Sequence, residues 1–134
     1  MKNPLSPLIE VSYSLLRLFS GALFAFHGLQ KIFGVLTDQQ PPAGSQLWFG
    51  GVIELVCGVA IALGIFTSLA AFLASGTMAV AYFQFHWQMR LDQNFFPAVN
   101  QGELAVVYCF LFLFIACRGG GAWSFDERAR PKSS

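Results

Sequence analysis

The sequence predicts an all-α protein, an antiparallel bundle of four transmembrane helices. Three observations carry this. Hydrophobic residues make up 55% of the 134 residues and charged residues only 11%, whereas about a quarter of a soluble domain is charged. The apolar residues gather into four runs that approach the roughly 20 residues a helix needs to cross hydrocarbon. Those runs also lack the polar stripe that a helix of a soluble bundle turns to water. The same composition excludes a disordered chain, which is poor in apolar residues and rich in charge. Eight basic residues against seven acidic ones create no field for phosphate, so no nucleic acid is expected as a partner. The expected partner is the lipid bilayer.

The first helix is expected over residues 8–33. Lys2 resembles the start of a signal peptide, but Glu10 and Arg17 interrupt the apolar stretch and no small-x-small cleavage site follows. The second helix is expected over 48–66 and the third over 69–87. Only Thr67 and Ser68 separate them, with Gly64 just before, which reads as a tight hairpin of antiparallel neighbours. The fourth is expected over 103–118 and is short at its apolar core. The loop before the second helix carries Pro41, Pro42 and Gly44; the loop before the fourth carries Phe95, Phe96 and Pro97. Gly119, Gly120 and Gly121 read as a helix stop rather than a phosphate loop. A basic tail, 118–134, completes what reads as one membrane domain over residues 1–134.

Four helices put both termini on one side. Lys2, Arg118, Arg128, Arg130 and Lys132 lie at the termini, against Lys31 and Arg90 at the other face, so both termini are expected in the cytoplasm. Trp48, Trp87 and Trp123 fall near expected helix ends, where interfacial aromatics belong. Cys57, Cys109 and Cys117 form no CxxC and lie in apolar runs, so they read as buried reduced thiols.

The scarce polar residues inside the helices carry the functional reading. An ionisable group near the centre of a membrane helix costs about 2.5–3.5 kcal/mol on insertion scales, so each needs a partner or a wet pocket. On a helical wheel Arg17, His27, Gln30 and Lys31 lie within an arc of about 140°, with Gly21 and Gly28 beside Arg17. In the second helix, Gly50, Gly58 and Ala62 are spaced at single turns around Glu54, a row that lets another helix come close. Glu54 reads either as a counter-ion for Arg17 or as a proton-carrying or ligand-binding acid; the two are compatible. By helix rise, Arg17 sits slightly cytoplasmic of the midplane and Glu54 slightly outside it. His27, Lys31, His86 and Glu103 lie further out, with Tyr82 and Trp87 close by in sequence. This constellation is either a set of mutual ion pairs tying the helices together or a ligand site with hydrogen-bonding groups and flat apolar walls, suited to a quinone or another aromatic molecule. No metal site is expected, because no Glu-x-x-His or His-x-x-x-His spacing occurs.

Several segments carry a resemblance. Arg17-Leu-Phe-Ser-Gly21 with Phe26-His27-Gly28-Leu-Gln30-Lys31-Ile-Phe-Gly34 resembles the first helix of DoxX-type membrane proteins. Gly51-Val-Ile-Glu54-Leu-Val-Cys-Gly58 resembles the second, and Met78-Ala-Val-Ala-Tyr82-Phe-Gln-Phe-His86-Trp87 the third. Phe96, Pro97, Asn100, Gly102, Glu103, Leu104 and Tyr108, with the ending Arg118-Gly-Gly-Gly-Ala-Trp123-Ser124-Phe-Asp126, resemble the fourth and its tail. The resemblance implies a four-helix protein of the inner membrane. The family is named after a subunit of a thiosulfate:quinone oxidoreductase, and some members are linked to redox-stress complexes. It therefore implies a quinone-linked oxidoreductase component. Here Glu54, His27 and Glu103 would carry protons, and Arg17, Gln30, Lys31, Tyr82, His86 and Trp87 would hold the quinone. The chain has no redox dithiol and no cofactor motif, so a partner redox subunit is expected, with a homo-oligomer also open. The alternatives are a non-catalytic scaffold that docks a partner on its basic tail, and a small-solute transporter.

Overall fold

The computed structural model describes residues 3–131 and is all-helical, with no strand among them. Lys2 and Lys132, used above to orient the termini, lie outside the described residues. Helix α1 is Ile9–Phe33, α2 is Gln46–Leu63 and α3 is Thr67–Ala81, which runs on into a wider π-type turn, Tyr82–Trp87. The short α4, Pro97–Asn100, precedes α5, Glu103–Arg118, and α6 is Phe125–Arg128. Three stretches are long and apolar enough to cross a membrane: Ser6–Phe33, Gln46–Leu63 and Thr67–Trp87. At 16 residues, α5 is about 24 Å long, short of the roughly 30 Å of hydrocarbon.

Helix α1 packs on α2 backbone to backbone, because both lack side chains along the seam. A Cβ on Gly21 would meet Ala62 N at 2.5 Å, and one on Gly28 would meet Leu55 N at 2.5 Å. The pairing of Gly21 with Ala62 and Gly28 with Leu55 makes the two helices antiparallel. Of the expected row, Gly58 and Ala62 lie at the seam, and Gly51 takes the place of Gly50. Gly51 and Gly58 face α1, while Gly50 has open space around its Cα. The helix wheel explains this: Gly51 and Gly58 are seven apart and share a face, while Gly50 lies about 100° away from Gly51.

Helix α3 packs on α5 through Ala70, Ala71, Ala74 and Met78 against Ala105, Tyr108, Phe112 and Ile115. Between α1 and α5, Phe24 lies edge-on to Phe112 at 4.7 Å and tilted against Tyr108 at 5.5 Å.

The α2–α3 turn falls earlier than expected. It occupies Gly64–Phe66, while Thr67 and Ser68 already belong to α3. Gly64 takes the left-handed conformation, φ 74°, and ends α2. Phe66, also left-handed, offers α3 no side-chain cap. The cap comes from the far end of the chain. Asp126 Oδ1 accepts from Phe66 N at 2.8 Å, and its Oδ2 accepts from Thr67 N at 2.8 Å and from the Thr67 hydroxyl at 2.6 Å. Arg17 serves the neighbouring helix end by donating to Ile61 O and Ala62 O of α2 at 2.5 and 2.7 Å, and to Trp123 O at 3.0 Å. The Gly119–Gly121 stop is followed by a chain that folds back over this end. Arg118 of α5 pairs with Glu10 and lies over the Tyr13 ring.

The cysteines divide. Cys57 is buried, Cys109 is half-buried and Cys117 is exposed; all are free. Cys117 falls on the outward face of α5, between the inward Ile115 and the chain's turn at Gly119, so it departs from the expected buried set.

Two outcomes test this packing. Gly28→Leu is expected to lower the thermal stability of the detergent-solubilised protein by about 1–3 kcal/mol or more, as an overpacked seam does, whereas Gly50→Ala should leave it unchanged. For Asp126, desolvation pulls the carboxyl upward, but the Thr67 and Phe66 hydrogen bonds and the Arg17 charge outweigh it and hold the group below its ordinary 3.8. A carboxyl lowered on folding stabilises above its unfolded pKa and loses that contribution as pH falls through the folded one. Asp126→Ala should therefore cost about 0.5–2 kcal/mol near neutral pH, and denaturation curves should converge with wild type in strong acid.

Candidate functional site

The buried seam between α1 and α2 brings Lys31 beside Glu54. Lys31 lies in the last turn of α1, and the missing side chain at Gly51 makes room for it: a Cβ there would meet Lys31 Cβ at 2.7 Å. Lys31 Nζ lies 2.6 Å from Glu54 Oε1. The Glu54 side chain is 4% exposed and that of Lys31 is 31% exposed. Glu54 Oε2 is buried and has no hydrogen-bond partner. An unpaired acceptor of this kind costs about 1–3 kcal/mol.

The pair faces a cavity of about 200 Å³. His27, His86, Gln101 and Tyr108 supply its other polar walls, and Phe24, Met78, Ala81, Leu104 and Ala105 its apolar ones. That volume is below the roughly 300–1,000 Å³ of a drug-sized pocket, and suits a single ring or small head group. His86 reaches the cavity from the wide Tyr82–Trp87 turn; turns of this kind often occur at functional sites. Its Nδ1 lies 3.2 Å from Asn100 O. A carbonyl only accepts, so Nδ1 carries the proton and Nε2 of the neutral ring is an acceptor. The Tyr108 hydroxyl and the His27 ring nitrogens have no hydrogen-bond partner among the described residues, and the two rings meet edge to face at 6.4 Å. The cavity thus combines free donors with free acceptors on flat apolar walls.

Of the residues singled out from the sequence, His27, Lys31, Glu54 and His86 come together at the cavity. Arg17 does not. It lies near the other end of α1 at the C-terminal carbonyls of α2, so the counter-ion of Glu54 is Lys31 and not Arg17. Gln30, one residue before Lys31, is turned about 100° from it and does not line the cavity. Glu103 is exposed in the first turn of α5, where a carboxylate meets the positive end of the helix dipole, and it is also outside the cavity lining. Tyr82 and Trp87 are turned to the segment 88–96. The Tyr82 hydroxyl donates to Phe95 O, and Trp87 Nε1 donates to Arg90 O at 2.6 Å. Sequence reasoning missed Tyr108 as a site residue. The available signal was its place on the Ala105, Tyr108, Phe112 and Ile115 stripe, where a phenol pointing inward needs a partner. Among the described residues, no group of His, Cys, Asp or Glu is arranged to hold a metal.

The DoxX family profile matches residues 12–87, more than half of the chain. The chain belongs to the DoxX family. The matched span contains His27, Lys31, Glu54 and His86, and ends at Trp87. An uncharacterized protein of Haemophilus influenzae is 38% identical over 117 residues, covering 84% of this chain and 87% of that protein. No solved structure matches. With its apolar helices, the chain is a membrane protein of DoxX type.

The ion pair gives a direct test. Lys31→Met leaves a buried carboxylate uncompensated and is expected to cost about 3 kcal/mol, the lower end for a buried pair because Lys31 is partly exposed. The double variant Lys31→Met with Glu54→Gln removes both charges and should recover most of that loss in the same thermal assay. A double-variant loss equal to the sum of the losses in Lys31→Met alone and Glu54→Gln alone would show that the two charges are not coupled.

Proposed function

We propose that this DoxX protein is an antiparallel four-helix transmembrane bundle of the inner membrane, with both termini cytoplasmic, α5 completing the set of spanning helices. In this reading its outward-facing cavity binds the ring of a quinone, as the membrane component of an oxidoreductase whose electron-transferring subunit is another chain. The observation that carries the reading is Glu54: a buried carboxylate, half paired with Lys31, whose second oxygen has no donor, on a residue that lines the cavity.

The residues fit a quinone in both of its forms. A quinone supplies carrier chemistry, taking up two electrons and two protons at its carbonyl oxygens. Each carbonyl accepts a hydrogen bond, and Lys31, Tyr108 and His27 offer donors. Each hydroxyl of the reduced form donates, and Glu54 Oε2 and His86 Nε2 offer acceptors. Phe24 and Met78 supply the apolar face on which a ring lies. Glu54 and Lys31 exchange a proton with the bound oxygen, and the hydrogen bond to Asn100 O fixes the His86 tautomer. The scaffold alternative loses part of its docking surface, since Arg118 is engaged by Glu10 and Tyr13.

Binding of decyl-benzoquinone to the purified protein, followed by intrinsic fluorescence, tests this. Glu54→Gln and Tyr108→Phe are each expected to weaken binding about tenfold or more, the loss for a hydrogen bond to a charged or buried group. Unchanged binding in Glu54→Gln and in His27→Ala would overturn the assignment.

A further inference from the structure

Glu54 and Lys31 border a second space. A groove of about 480 Å³ runs between α2 and α3 and shares Lys31, Glu54, Met78 and Ala81 with the cavity. Its walls are apolar, with Phe49 and Ile53 on α2 and Phe72 and Leu73 on α3, all exposed at the protein surface. Gly50 and Gly76 line it from the two helices, and a Cβ on either would meet no atom within 4 Å. These two glycines therefore differ from Gly21, Gly28, Gly51 and Gly58, whose missing side chains let helices touch. A glycine inside a helix costs about 1 kcal/mol relative to alanine, and here no packing offsets it. What the two glycines leave is open space one turn from Glu54. At one end the groove closes: Gln46 Nε2 donates to Gln84 Oε1 at 2.5 Å, joining the start of α2 to the wide turn after α3. The groove is thus shut at its polar end and open sideways.

We infer that this groove holds the apolar tail of the ligand whose head occupies the cavity, so that the ligand enters sideways from the bilayer between α2 and α3. This deepens the quinone reading and rests on it: the ligand class is a long-chain, isoprenoid-tailed quinone. The shared lining at Lys31, Glu54, Met78 and Ala81 sets the groove directly beside the cavity, and with Glu54 Oε2 unpartnered that adjacency selects a ligand with a polar head and an apolar tail. Because the tail leaves lipid rather than water, the groove adds little hydrophobic driving force. Its contribution is the path and the placement of the head.

The test is photolabelling of the full-length protein in phospholipid vesicles with a decyl-benzoquinone carrying a diazirine at the tail end. The expected result is labelling concentrated on Ile53, Phe72 and Leu73, and suppressed by excess tail-less dimethoxybenzoquinone. Gly76→Leu, at a position where a Cβ meets no atom within 4 Å, should cut that labelling about tenfold by steric exclusion. It should leave binding of the tail-less quinone unchanged, as should the lipid-facing control Val56→Leu. Labelling spread over lipid-facing positions such as Phe19 and Phe110, while the tail-less quinone still binds, would overturn the groove and spare the cavity. Dispersed labelling with no binding of the tail-less quinone would overturn both.

Discussion

A carboxylate carried into an apolar protein must be met by a cation, and the centre of this protein is built around meeting that demand. Glu54 is taken from water on α2, and Lys31 of α1 reaches it at 2.6 Å. The contact depends on how closely the two helices approach. Gly21, Gly28, Gly51 and Gly58 bring backbone against backbone, and Gly51 stands where any side chain would strike Lys31. Small residues at the seam thus set the register of α1 on α2, and that register places Lys31 at Glu54. Burying such a pair is rarely a net gain over apolar packing. Its retention with one oxygen unpaired is better accounted for by a ligand than by stability.

The two ends of the molecule contrast. At the α2–α3 turn, polar groups find protein partners. Arg17 takes the last carbonyls of α2, Asp126 takes the first amides of α3, and Asp126 N donates to Gly64 O at 2.9 Å. Arg17 Nε alone is buried there without a partner among the described residues. This end is a lock made by the returning chain. At the other end, Asn94 and Asn100 tie the segment 88–96 to the wide turn, with Asn94 Nδ2 donating to His86 O at 2.9 Å. There the cavity walls keep free donors and acceptors. One end closes the fold and the other leaves hydrogen bonds to be made.

The helices were legible in the sequence because lipid-compatible segments announce themselves by composition alone. Residues 8–33 and 103–118 correspond closely to Ile9–Phe33 and Glu103–Arg118. The α2–α3 turn was misplaced by a few residues, because its cap is Asp126, about 60 positions away, and no local pattern signals it. Helix rise puts Arg17 and Glu54 on either side of the midplane, which makes them candidate partners, but neither rise nor wheel says how far along α2 each α1 residue lands. The register is set by glycine contacts, which place Arg17 at Ile61 and Lys31 at Glu54. Tyr108 was quoted within a motif without being assigned to the site, since a phenol in an apolar helix carries no charge to flag it. Glu103 looked like a site acid because it shares the depth of the others, yet depth does not say which face a helix start presents.

The central claim is that the free oxygen of Glu54 is kept for a ligand. Infrared difference spectroscopy on adding quinone to the purified protein tests it most directly, by following the carboxyl band that disappears in Glu54→Gln. The account expects that band to shift on quinone addition and to be absent from the difference spectrum of the variant. A Glu54 band that does not move while quinone binds would contradict it, and would leave the Lys31 pair as a structural tie between two helices.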